Sequence, residues 1–74
     1  MAEAKATQTF VIHLRPEEAN GWRAEVVEIP GVIFSGHSVD EAVRKAKAVI
    51  FRMLAAQTER GELPHLRTIV FDVL

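Results

Sequence analysis

The 74-residue chain has no cysteine and no tyrosine, and only three prolines and four glycines. Without cysteine it can form neither a disulfide nor a thiolate zinc site, so no covalent or metal staple supports so short a domain. A basic surplus is missing too: nine Lys/Arg face ten Asp/Glu, for a net charge of −1 and a pI near 6.3. Proteins that track phosphate draw much of their affinity from releasing counterions with such a surplus, so the balance argues against a nucleic-acid groove. No apolar run approaches the ~20 residues needed to cross a bilayer. The first nine residues lack the apolar centre of a signal peptide. A cytoplasmic protein with no membrane association is expected.

Apolar residues make up 49% of the chain, enough for a real core. The expected organisation is a flexible tail over 1–8 and one domain over 9–74. Thr9 to Arg15 alternates, with Phe10, Ile12 and Leu14 on one face, which is the pattern of a half-buried strand. Pro16 is expected to end that strand, and Pro16–Gly21 to form a turn with positive φ tolerated at Asn20-Gly21. A second strand is read from Trp22 to about Glu28, and a third over Val32–Ser35 after the Ile29-Pro30-Gly31 bend, with Gly36 as its breaker. Ser38-Val39-Asp40-Glu41 has the form of a capping box, in which Ser38 accepts from the Glu41 amide and Glu41 reaches back to the Ser38 N–H. The helix it opens runs to about Arg60, with Ala42, Val43, Ala46, Val49, Ile50, Met53 and Leu54 in one stripe. Gly61 suits the position after its end. Arg67–Val73 reads as a closing strand. The fold class is therefore α+β, in the order β-β-β-α-β, with one long amphipathic helix on a four-stranded mixed sheet.

Tests for chemistry come back empty. His13, His37 and His65 have no metal-ligand spacing. Ser35 and Ser38 lack a nucleophile-elbow context, and Gly21, Gly31 and Gly36 look like turn glycines rather than a phosphate loop. Two-metal nuclease chemistry needs carboxylates converging from several strands. Thr9–Arg15 has none, and Glu25 and Glu28, three apart in an extended segment, point to opposite faces. No catalytic, cofactor or metal site is assigned, and the protein is expected not to be an enzyme.

Binding is the more natural use of such a chain. Val11, Val27 and Ile33 lie on the sheet face opposite Phe10, Ile12, Trp22, Ala24, Val26 and Phe34, and a single helix can cover only one of the two faces. Arg44, Ala48, Phe51 and Ala55 form a flank of the helix away from its main stripe. Both sets are candidate interface residues, and a homodimer is expected because a small core without staples gains by burying more surface.

Gly21-Trp22-Arg23-Ala24, then Ile29-Pro30-Gly31-Val32, then Gly36-His37-Ser38-Val39-Asp40-Glu41-Ala42 resembles the signature of the HicB antitoxin family. That family shows a Gly-aromatic-x-Ala hairpin, a Leu/Ile-Pro-Gly-Cys bend and Gly-x-Ser/Thr-x-x-Glu-Ala at the helix start, and Val32 stands where its cysteine is frequent. The resemblance implies a partial ribonuclease H-like fold with the last strand beside the first and parallel to it. It also implies an antitoxin that covers the active site of a HicA-like, mRNA-cleaving toxin. HicB proteins usually carry a C-terminal DNA-binding domain, which these residues do not include, so direct DNA binding is not expected. A solitary oligomeric regulator with an unrelated partner is the alternative.

Overall fold

Alternation from Thr7 onward, two glycine-assisted turns and one capped apolar stripe generate six elements in the computed structural model, which describes residues 6–74. They are β1 (Thr7–Glu17), a short 3-10 turn (Glu18–Asn20), β2 (Gly21–Val26), β3 (Ile33–Gly36), α1 (Val39–Glu59) and β4 (Thr68–Val73). The sheet order is β3-β2-β1-β4, antiparallel throughout except that β4 runs parallel to β1. That is the placement of the last strand that the family resemblance implies.

The first strand is longer than its alternation suggests, at both ends. Thr7 and Gln8, expected in the tail, pair with Thr68 and Ile69. The rest of the expected tail, apart from Ala6, lies outside the described residues. At the other end the strand passes through Pro16 to Glu17, which pairs with Gly21. The parity of the ladder explains why proline does no harm. Val27 donates to the Val11 carbonyl, whereas Leu14 donates to that of Leu74. Odd residues of β1 therefore bond to β2 and even residues to β4. Pro16 is even, so its missing N–H lies on the β4 side, beyond the end of that strand at Val73, and takes no ladder bond away.

This longer strand compresses the turn. Positive φ falls on Ala19 (65°) and Asn20 (66°), not on Gly21, whose φ of −95° is extended. Ala19 therefore bears left-handed strain that an L-residue with a Cβ pays for. Gly21 is needed for proximity instead, since a Cβ there would sit 3.3 Å from the Gly36 carbonyl oxygen. β2 ends at Val26, earlier than expected. The Ile29–Val32 bend follows, closed by Val32 N–H donating to Ile29 O at 3.2 Å, with Gly31 at φ 84°. Pro30 before a positive-φ glycine is the preferred occupancy of such a turn. Gly36 ends β3 from inside, pairing with Trp22.

The helix starts and stops as its sequence dictates, with one difference. Ser38 Oγ accepts from the Glu41 amide at 3.1 Å, but Glu41 Oε1 accepts from the His37 N–H at 2.6 Å rather than from Ser38. At the far end Gly61 takes φ 73°, donating to Thr58 O, while Glu62 donates to Gln57 O. These two bonds satisfy the last carbonyls in a Schellman arrangement.

Phe10, Ile12, Ala24 and Val26 from the sheet and Ala42, Val43, Ala46, Ile50 and Leu54 from the helix form the buried core. Val49 and Met53 are half-buried beside it. The helix lies mainly over β2 and β3 and much less over β1. Ala24, Ala42 and Ala46, all fully buried, let the two backbones approach there.

Candidate interaction surface

Most of the residues that carry the family resemblance gather at the seam between the helix start and the β2–β3 hairpin, while Pro30 and Gly31 form the exposed bend at the hairpin's other end. Trp22 pairs with Gly36, and Ala24 with Phe34. A Cβ on Gly36 would stand 2.7 Å from the Ala42 amide nitrogen and 3.1 Å from Glu41 Cβ, so only glycine lets the helix begin so close to β3. Glu41 closes the seam through His37, and that hydrogen bond holds its carboxyl below the ordinary value of 4.5, helped by Lys45, His37 and Arg44 nearby and opposed by partial burial. Lys45 Nζ donates to Ser35 O at 2.9 Å across the same junction. Gly21, Trp22, Ala24, Pro30, Gly31, Gly36, Ser38, Glu41 and Ala42 thus act on the fold.

Five of the acids have structural partners. Glu17, an acid on β1 that the shorter expected strand did not include, lies 4.0 Å from Arg23. Glu28 is outside β2 altogether and turns back so that its Oε1 accepts from the Val11 N–H at 2.9 Å, replacing a ladder carbonyl where β2 has ended. Asp40 pairs with Arg44 at 2.9 Å, and Glu62 with Arg60 at 2.6 Å, which lowers the Glu62 pKa and raises that of Arg60. Among the described residues no three of His, Cys, Asp or Glu gather in a way that could hold a metal. A cavity of about 280 Å³ at the hairpin end is lined by Glu17, Glu18, Gly21, Gly36, His37 and Glu41 among others, but its polar groups are those already engaged in the turn and cap.

The sheet face away from the helix carries the surface expected for binding. Cross-strand rows run Val27–Val11–Asp72 and Ile33–Glu25–His13, with Arg23–Arg15 beyond. Val27 is 48% and Ile33 46% exposed, while Val11 is half-buried between its neighbours. The face thus mixes apolar groups with charges of both signs.

The helix flank resolves differently. Arg44 is exposed and paired with Asp40, Ala48 is half-buried and Ala55 exposed. Phe51 does matter. Half its surface is exposed, and its ring meets Phe71 of β4 edge-on at 5.5 Å between centroids. Phe71 in turn stacks on Phe10 at 6.2 Å, and Lys47 Nζ lies 5.0 Å from the Phe71 centroid. Phe51 therefore belongs with the β4 edge, a grouping invisible without the strand order. No helix among the described residues is long and apolar enough to cross a membrane. No protein-family model, curated protein or solved structure matches the chain.

Proposed function

We propose that this protein is a HicB-like antitoxin module that acts in the cytoplasm, without catalysis of its own, by covering the active site of a HicA-like mRNA-cleaving toxin. The observation that carries the reading is the ordered motif set, in which Gly36, Ala24, Ala42 and the Ser38 cap meet at the helix–hairpin seam. Glu17, Glu28 and Glu41, which serve a turn, a ladder end and the cap, give it further support, because a covering protein needs no converging carboxylates. The open sheet face around Val11, Val27 and Ile33 is the toxin-facing surface in this proposal.

Co-expression tests it. Growth arrested by a HicA-type ribonuclease encoded beside this gene should be restored by the wild-type chain and not by Val27→Glu, which puts a charge in the middle of that face. Arrest that persists with a well-expressed wild-type chain, or equal rescue by the variant, would contradict the proposal.

A further inference from the structure

Four of the seven large apolar side chains left exposed among the described residues lie along β4, Phe51 and Val73 on the helix side and Val70 and Leu74 on the open side. That strand is an edge, since among the described residues nothing pairs with its outer side. Its backbone is already sorted. Thr68 donates to Ala6 O and Leu74 to Ile12 O, so even-numbered residues bond to β1. The N–H and C=O groups of Ile69, Phe71 and Val73 therefore point outward. The register places their side chains on the helix side, level with Gln8, Phe10 and Ile12. There the helix, lying over β2 and β3, gives them least cover.

Edges that stay solitary are blunted by proline, bulges, inward charges or shortness. The opposite edge, β3, has only four residues. β4 has six residues with no proline and a regular register along β1, and its one charge, Asp72, shares the open face with Val11.

We infer that β4 is the self-association site, pairing antiparallel with β4 of a second copy about a twofold axis to make a continuous eight-stranded sheet. The second copy is the fitting occupant because the edge is self-complementary. Each outward residue offers one donor and one acceptor, and a twofold sets the row against its own reverse. The same operation lays Phe51, Phe71 and Val73 of one copy against those of the other. Lys47, the charge beside them, already rests on the Phe71 ring. A net charge of −1 per chain opposes the pairing little. The inference stands apart from the toxin reading, which uses the open face.

Sedimentation and hydrogen exchange on the full chain test it. The wild type should sediment at about 16.6 kDa, twice the 8.3 kDa of one chain. Amides of Ile69, Phe71 and Val73 should become protected as concentration rises, while those of Val70 and Asp72 are protected throughout. Val73→Lys should weaken the dimer at least about tenfold, as a lysine on an edge does, and Val27→Glu should leave it intact. A wild type that stays monomeric overturns the inference. So does a dimer in which the three outward amides exchange freely, or a folded Val73→Lys that dimerises normally. Should Val73→Lys fail to fold, the wild-type exchange pattern decides alone.

Discussion

Gly36 shows how much a single position can determine. Its missing Cβ is the space in which the Ala42 amide and Glu41 side chain sit, and the nearest of these atoms belongs to the backbone. Because backbone cannot swing aside as a long side chain can, Gly36→Ala should cost about 1–3 kcal/mol, the usual penalty of overpacking a tight site. Chemical denaturation would check it, and an unchanged midpoint would mean that the helix start can retreat from β3. Glu28 makes a different point. Spacing marked it as one of two acids aimed at opposite faces, but β2 stops at Val26 and Glu28 serves as an acceptor for Val11. No local pattern announces that role, because it depends on where a ladder between two distant segments runs out.

At the scale of elements, the helix was legible to within about a residue, since a cap, an uninterrupted apolar stripe and Gly61 all report on it locally. The strands were legible in type and in their succession along the chain, but not in extent or in their order within the sheet. β1 gained Thr7 and Gln8 because β4 pairs with them, and Pro16 because its side of the ladder is unused; both are tertiary facts. The interaction surface divides the same way. Alternation exposed the open face around Val27 and Ile33, whereas Phe51 needed the strand order to find its place beside β4. The helix N-terminus also carries a pH dependence. The His37 N–H depresses the Glu41 pKa, so this contribution is fully present above the unfolded value of 4.5 and is lost as pH falls through the lower folded value. Glu62, depressed by Arg60, adds a term of the same sign at the other end of the helix. Thermal melts should therefore fall in acid below about pH 4.5, and Glu41→Gln should flatten part of that fall. An identical acid profile for the variant would show that the His37 bond does not discriminate between protonation states.

At the scale of the whole molecule, the open sheet face and the β4 edge are two surfaces that the core leaves uncovered among the described residues, and each is proposed for a separate task. The face is assigned to a toxin and the edge to a second copy, so the two assignments can fail independently. Every buried residue among the described ones is apolar, and the proposed use of the fold is recognition. The most direct test is a titration of the purified chain into a HicA-type ribonuclease from the same genome, reading cleavage of an mRNA substrate. The account predicts that cleavage falls linearly to zero near one chain per toxin, and that the chain alone, with Mg²⁺ or Mn²⁺, cleaves nothing. Cleavage undiminished by excess chain, or metal-dependent cleavage by the chain itself, would contradict it.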